Sequence, residues 1–211
     1  MTDKTETVIL IHGLWMRGFV LLPYQRWLRA EGFVVRRFSY PSWRGSLSDN
    51  VRLLSSFVNE TPGSIIHLVA HSLGGMVALK MLSQEPNARI RRVVLLGTPY
   101  AGCHCGFTLA TQPKLAALVG HTFKDWFSQP RPILLPALEI GVIAGTRPVS
   151  FGRLIPGLAR PNDGLVAVDE TRIAAARDSI ALNVSHSGML VSRACAIQTA
   201  SFLRMGNFIH A

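Results

Sequence analysis

Cysteine is scarce in this sequence. The 211 residues include three cysteines, Cys103, Cys105 and Cys195. A small, odd number argues against a complete disulfide framework and is typical of a reducing compartment. The first residues, MTDKTETVILIHG, also lack the basic start, apolar run and cleavage site of a secretory signal peptide. These two absences predict a cytoplasmic protein.

Long apolar runs and acidic residues are lacking as well. The apolar stretches have the length of a strand, far below the roughly 20 residues that a membrane-spanning helix needs. Twelve Asp and Glu against 22 Lys and Arg give a formal net charge of +10. This charge fits an arginine-rich solvated surface, or else a weak attraction to an anionic membrane surface or an acidic substrate. Because there is no long basic run and no basic stripe interleaved with aromatics, we expect no nucleic-acid partner.

The residues that are present have the composition of a globular domain. With 48% hydrophobic and 16% charged residues, a chain of this length can form one buried core. We therefore expect one domain over residues 1–211. Strands are predicted at 7–12, 33–40, 65–70, 90–97, 138–145 and 179–184, and helices at 21–32, 47–60, 73–84 and 189–204. This alternation predicts an α/β fold whose mostly parallel six-stranded sheet is covered by helices on both faces.

One interval breaks the alternation. Residues 100–137 are too long for a plain connection between two strands, and they contain helix-like TLATQPKLAALVG and proline-rich QPRPILLP. Long insertions in compact domains are commonly lids or binding loops. We therefore expect the interval to act as a cap over a ligand site.

The segment AHSLGG, residues 70–75, places Ser72 between a predicted strand and a predicted helix. This pattern fits an ordinary tight turn or a nucleophile. Small residues at positions 70 and 74 allow a sharp turn that would expose the hydroxyl. The pattern is a variant of G-x-S-x-G, the nucleophile motif of α/β-hydrolases, with alanine in the first position. A nucleophilic serine also needs a base, a group that orients the base and donors for the oxyanion.

Donors for the oxyanion are available at the end of the first strand, in IHGLW at residues 11–15. A glycine there either simply ends the strand or lets the backbone approach the serine closely. In the second case the backbone N–H groups of Leu14 and Leu73 would form an oxyanion hole.

The order Ser, acid, His that α/β-hydrolases follow limits the choice of partners. His186 follows the last predicted strand, whereas His104 and His121 lie in the insertion and His210 is the penultimate residue. Asp163 lies in the turn-forming segment RPNDGLV, 23 residues before His186. The alternative Asp169 follows LVAV and is expected to meet Arg172 or solvent.

Together, IHGLW, AHSLGG, GTPYAG, NDGLV and HSGML resemble the small α/β-hydrolase lipases and esterases. The resemblance is to compact bacterial lipases and, more distantly, to lipases like the GPI inositol deacylases, and it spans almost the whole chain. It implies Ser72 as nucleophile, His186 as general base and then acid, and Asp163 as the group that orients the histidine. It implies no cofactor. The motif CHC at 103–105 has no second Cys/His pair at zinc spacing, so we expect no metal site.

These observations predict a serine hydrolase that cleaves carboxylic esters, as an esterase or lipase, through a covalent acyl-enzyme. Its partner would be a small-molecule ester or lipid. Aromatic and apolar residues near the motifs are candidates for substrate binding: Trp15, Met16, Tyr100 and Phe107. An acyltransferase or thioesterase would use the same triad. A binding protein with a hydrolase fold and no catalysis is the alternative from another functional class.

Overall fold

The structure, a computed structural model, describes residues 6–134, 138–150 and 155–210. Its strands are β1 (Glu6–Ile11), β2 (Val34–Phe38), β3 (Ile65–His71), β4 (Ile90–Leu96), β5 (Glu139–Gly145) and β6 (Asp178–Leu182). Its α-helices are α1 (Leu22–Ala30), α2 (Leu47–Asn59), α3 (Leu73–Gln84), α4 (His104–Thr111), α5 (Gly120–Ser128) and α6 (Arg193–Met205). Short 3₁₀ helices lie at Gly18–Leu21, Ala116–Val119, Asp169–Thr171 and Ser187–Val191.

The six strands form one sheet in the order β2-β1-β3-β4-β5-β6. All five pairings are parallel, which confirms the predicted α/β class. The sheet was predicted to be mostly parallel, and these six strands are parallel throughout. Ile11 pairs with Ala70, and Ala70 pairs with Leu95. The carboxyl ends of these three strands therefore meet at one edge of the sheet.

Two apolar layers enclose the sheet because successive strand residues point to opposite faces. In β1, Ile9 and Ile11 pack with α2, α3 and α5 on one face, whereas Val8 and Leu10 pack with α1 and α6 on the other. Strands covered on both sides are expected to be apolar throughout, as the uninterrupted run VILI is.

The element bounds differ from the predictions mainly at the last helix. That helix was expected over 189–204, but the residues Ser187–Val191 form a 3₁₀ turn and α6 begins only at Arg193. The side chain of Ser192 caps α6 by accepting a hydrogen bond from the Cys195 amide at 3.3 Å. The predicted end at Arg204 lies one residue short of the observed one, where Gly206 adopts a left-handed conformation.

The insertion consists of two helices, α4 and α5, joined by a 3₁₀ turn, and residues 135–137 of the predicted interval lie outside the described residues. The helix-like segment at 108–120 is interrupted because Pro113 cannot continue a helix. Phe123 and Trp126 of α5 are buried in the core layer that contains α2 and α3. Part of the insertion is thus an integral part of the core.

Candidate active site

Ser72 lies at the sharp turn between β3 and α3, where the sequence predicts a nucleophile. Its backbone has φ 52° and ψ −123°, a conformation that residues other than glycine rarely adopt. The Ser72 amide donates to the Leu96 carbonyl at 2.9 Å, and its own carbonyl accepts from Gly75 N at 3.0 Å and Thr98 Oγ1 at 3.1 Å. These bonds hold the turn between β4 and the first turn of α3.

The two glycines after the serine are required by close packing. A Cβ on Gly74 would lie 2.5 Å from the carbonyl oxygen of His12, and one on Gly75 would lie 2.1 Å from Thr98 Oγ1. Neither distance is compatible with a side chain. The glycines therefore let α3 start directly against the ends of β1 and β4.

His186 lies on the loop after β6, immediately before the 3₁₀ turn at Ser187–Val191. Its Nδ1 atom is 2.7 Å from Oδ2 of Asp163, and both side chains are buried. The His186 amide also donates to the Asp163 carbonyl at 3.0 Å. Because Nδ1 is held by the carboxylate, Nε2 is the ring nitrogen left for a proton transfer.

Asp163 is held in turn by its own loop. Its Oδ1 atom accepts from the amides of Leu165 at 2.9 Å and Val166 at 2.7 Å. Two backbone donors on one oxygen fix the plane of the carboxylate. The loop between β5 and β6 thus presents a single, oriented oxygen to His186.

Gly97, directly after β4, makes room for this pair. It has φ 56°, and a Cβ there would lie 3.1 Å from Asp163 Oδ2 and 3.2 Å from His186 Nδ1. A side chain at this position would be strained by the backbone and would press on the hydrogen bond between Asp163 and His186.

The predicted oxyanion donors, Leu14 and Leu73, line the same cavity as Ser72 and His186. Leu73 is the first residue of α3, and the first amides of a helix have no partner within it. The backbone just after β1 comes close to the serine at Gly13, where a Cβ would lie 3.1 Å from Ser72 Cβ. Tyr40 braces this turn, because its hydroxyl donates to the His12 carbonyl at 3.0 Å.

The cavity beside Ser72 has a volume of about 170 Å³. Of the four residues expected to bind substrate, Trp15 and Met16 line it. The structure places the other two elsewhere. Tyr100 packs edge-on against Trp126, with ring centroids 6.1 Å apart, and Phe107 packs on the Phe127 ring at 4.6 Å. Neither is among the described residues that line the cavity. Both residues lie near the cavity in sequence, but their side chains pack on α5.

Another histidine, His71, packs against the candidate base His186. His71 is buried, its Nε2 lies 3.1 Å from the His186 carbonyl oxygen, and the two ring centroids are 4.7 Å apart. Burial lowers the pKa of His71 well below its usual range, and the neighbouring His186 adds to this effect. A carbonyl only accepts, so the neutral His71 ring carries its proton on Nε2 and donates it there.

Cys103 and Cys105 line the cavity and are buried. Burial raises the pKa of the Cys105 thiol to about 11, and the pKa of Cys103 also lies above its usual range for the same reason. Both groups are therefore uncharged thiols at neutral pH. Within residues 6–134, 138–150 and 155–210, we find no group of three or more His, Cys, Asp or Glu side chains that could hold a metal ion.

Some site residues had no recognisable signal in the sequence. Glu170 connects the insertion to the Asp163 loop: its side chain accepts hydrogen bonds from the His104 amide and, at 2.8 Å, from the Ala167 amide. Ser150 and Ser187 line the cavity from loops after β5 and β6. A lone serine or glutamate in a loop matches no motif, so only the folded chain reveals these contacts.

In the part of the chain that the structure describes, no helix is long and apolar enough to cross a bilayer.

Asp169, the alternative acid, forms an exposed ion pair with Arg172 at 2.9 Å.

Comparison with curated proteins gives relatives of low sequence identity, one of which is named as an esterase. A pimeloyl-[acyl-carrier protein] methyl ester esterase of Methylococcus capsulatus is 30% identical over 129 residues, which cover 60% of this chain and 48% of that protein. The chain spans between 23% and 48% of the length of the curated relatives that it matches.

Solved structures share the fold at low sequence identity. The lipase BlEst2 of Bacillus licheniformis has a TM-score of 0.79 at 17% identity, over 99% of this chain and 51% of that one. The metagenomic carboxyl esterase MGS0156 has a TM-score of 0.70 at 16% identity, over 88% of this chain and 66% of that one. The model of the alpha/beta hydrolase family matches residues 8–201. With this match over nearly its whole length, the chain belongs to the alpha/beta hydrolase family.

Proposed function

We propose that this protein is a serine hydrolase that cleaves carboxylic esters through a covalent acyl-enzyme. The observation that carries the proposal is the buried pair of His186 and Asp163, joined at 2.7 Å, beside the cavity that Ser72 enters from a strained turn. A nucleophile, an oriented base and backbone donors at one cavity are the parts that acyl transfer needs. Relatives that are named as esterases or lipases support the same reaction class.

In the first half of the reaction, Ser72 Oγ attacks the ester carbonyl while His186 Nε2 accepts the hydroxyl proton. The negative charge that develops on the carbonyl oxygen is stabilised by the amides of Leu14 and Leu73. Asp163 stabilises the imidazolium through Nδ1. Collapse of the tetrahedral intermediate breaks the ester bond, and His186 gives its proton to the leaving alcohol. The product of this half is Ser72 acylated on its oxygen.

In the second half, water attacks the acyl carbon of the acyl-enzyme, and His186 accepts a proton from the water. The bond to Ser72 then breaks, the serine oxygen recovers its proton and the carboxylic acid leaves. An alcohol in place of water would give transfer of the acyl group, and a thioester in place of the ester would give thioesterase activity. Product analysis with ester and thioester substrates, with and without added alcohol, distinguishes these outcomes.

Labelling with a fluorophosphonate followed by peptide mass spectrometry tests the proposal. We expect the phosphonyl group on Ser72, and we expect Ser72→Ala to lose both the label and ester hydrolysis, by about 10⁶ in turnover. Ser150→Ala is the matched control, because Ser150 lines the same cavity. A label on Ser150, or hydrolysis that persists in folded Ser72→Ala, would contradict the proposal.

A further inference from the structure

The cavity beside Ser72 is closed on one side by the insertion. We call this side the insertion wall; it consists of Cys103, Cys105, Gly106, Leu109, Val119 and Phe123, with Leu118 beside them. Five of these residues, Cys103, Cys105, Gly106, Val119 and Phe123, are buried. The side of the cavity that the insertion forms is thus a packed surface.

Phe123 is the largest side chain of this wall, and its position is tightly determined. A Cβ on Gly106 would lie 2.1 Å from Phe123 Cζ, so the ring occupies the space that any other residue at position 106 would need. Phe127 supports the ring from α5 with a centroid distance of 4.6 Å. Phe123 as a whole is 7% exposed. It therefore limits the cavity as a rigid boundary.

The lining of the cavity excludes charge. Among the described residues that line it there is no Lys, Arg, Asp or Glu, and its thiols are neutral at pH 7. Burying an ionised group without a partner is strongly unfavourable. The group that enters beside Ser72 should therefore be uncharged, and the apolar side chains of the insertion wall favour a hydrocarbon chain.

The volume of the cavity sets the length of that group. An apolar protein cavity of about 150 Å³ holds one benzene molecule, which has six carbons. The cavity beside Ser72 measures about 170 Å³. We propose that the preferred substrates are esters of uncharged, short to medium acyl chains of about six carbons, and that Phe123 determines this length. The inference rests on the proposed ester hydrolysis and adds its substrate class.

A series of p-nitrophenyl esters from acetate to dodecanoate tests the preferred length. Each buried methylene contributes about fourfold to binding, so kcat/KM should rise by about two orders of magnitude from acetate to hexanoate. It should then fall at least about tenfold by decanoate, because the additional methylenes overpack the cavity. The monoester of a six-carbon diacid, which carries a terminal carboxylate, should react at least about 100-fold more slowly than hexanoate.

Substitution of Phe123 tests what determines the length. Phe123→Ala should move the optimum by about two carbons or more towards longer esters, because the removed ring leaves space along the wall. The milder Phe123→Leu should shift it in the same direction and serves if the alanine variant folds poorly. Phe127→Ala is the matched control: Phe127 contacts Phe123, but it is not among the described residues that line the cavity. It should move the optimum by less than about one carbon, because the Phe123 ring still fills the space beside Gly106.

The outcomes separate this inference from the proposed function. A fluorophosphonate label on Ser72, together with an optimum at acetate or dodecanoate, overturns the chain-length inference and leaves ester hydrolysis standing. A shift in Phe127→Ala equal to that in the Phe123 variants overturns the role of Phe123. Absence of both labelling and hydrolysis overturns the proposed function and the inference together.

Discussion

One carboxylate oxygen of Asp163 contacts His186, and the other accepts hydrogen bonds from the loop that carries Asp163. Oδ2 lies 2.7 Å from His186 Nδ1, while Oδ1 accepts the amides of Leu165 and Val166. The two oxygens are therefore not interchangeable. This asymmetry determines what an asparagine would do at the same position.

We expect Asp163→Asn to reduce kcat by about 10⁴ while leaving the fold intact. The two backbone amides require an acceptor at the Oδ1 position, so the asparagine NH₂ group must face His186. The histidine would then accept at Nδ1 and carry its proton on Nε2, the wrong tautomer to receive a proton from Ser72. Steady-state kinetics with a short ester, together with circular dichroism, measures both effects.

Asp169→Asn is the control for this prediction. Asp169 is exposed and pairs only with the exposed Arg172 among the described residues, and exposed ion pairs contribute little to stability. Its turnover should fall by less than about twofold. If Asp169→Asn were the more damaging of the two folded variants, Asp163 would not be the group that orients His186.

A second prediction concerns His71, whose Nε2–H donates to the His186 carbonyl. His71→Leu removes this donor and should lower kcat by about ten- to a hundredfold with little change in KM, because a small displacement of the base disturbs proton transfer. His71→Gln keeps an amide N–H near the Nε2 position and should retain activity within about fivefold of the wild type. Equal losses in both folded variants would mean that His71 matters only for packing.

Much of the fold could be predicted because its signals are local. Buried parallel strands are continuous apolar runs, so VILI and IIHLVA could be located from sequence. The residues brought together at the site could also be predicted, because Ser72, Asp163 and His186 each follow a strand. Carboxyl ends of parallel strands share one edge of the sheet. Their catalytic roles stay predictions until activity is measured.

The insertion could not be predicted in the same detail because its contacts are not local. Tyr100 and Phe107 are aromatic, as residues of a substrate pocket often are, yet both pack on α5. Which face of α4 meets the cavity depends on α5, and α5 is anchored on α2, more than 60 residues earlier in the chain. No periodicity within 100–137 contains that information.

A third prediction concerns the contact between Thr122 and Asn50, which anchors α5 of the insertion on α2. The buried Thr122 hydroxyl accepts from Asn50 Nδ2 at 2.8 Å and donates to the Gly45 carbonyl at 2.8 Å. Thr122→Val keeps the shape and leaves two polar groups without this partner, which should cost about 1–3 kcal/mol in the free energy of unfolding. Thermal unfolding should show a lower Tm, by roughly 2–4 °C for each kcal/mol.

Thr111→Val provides the comparison within the same insertion. Thr111 is exposed, and its hydroxyl donates to the Thr108 carbonyl one turn earlier, at 2.9 Å. Its substitution should change Tm by less than about 1 °C, since exposed positions away from special features have small effects. Equal melting temperatures for the two variants would show that the contact between Thr122 and Asn50 does not anchor α5.

The last prediction concerns stability in acid, where His67 in the middle of β3 is the sensitive group. Its side chain is fully buried, and Nε2 lies 3.5 Å from Glu6 Oε2. Burial, opposed by Glu6 and reinforced by Arg92, lowers the pKa of His67 to about 4. In the unfolded chain the pKa is about 6.5, so between these values the unfolded state binds more protons than the folded state. The contribution of His67 to the free energy of unfolding is therefore fully present above about pH 6.5 and is lost as the pH falls towards 4.

His67→Leu should remove this contribution. Between pH 7 and pH 4.5 the wild type should lose about 2–3 kcal/mol of unfolding free energy through His67, and the leucine variant should lose correspondingly less. His12 and His71 also have lowered pKa values through burial, so the variant keeps part of the acid sensitivity. Urea unfolding at a series of pH values measures the difference, with the exposed His121→Gln as control. Parallel stability curves for His67→Leu and the wild type would show that His67 takes up its proton equally well in the folded and unfolded chains.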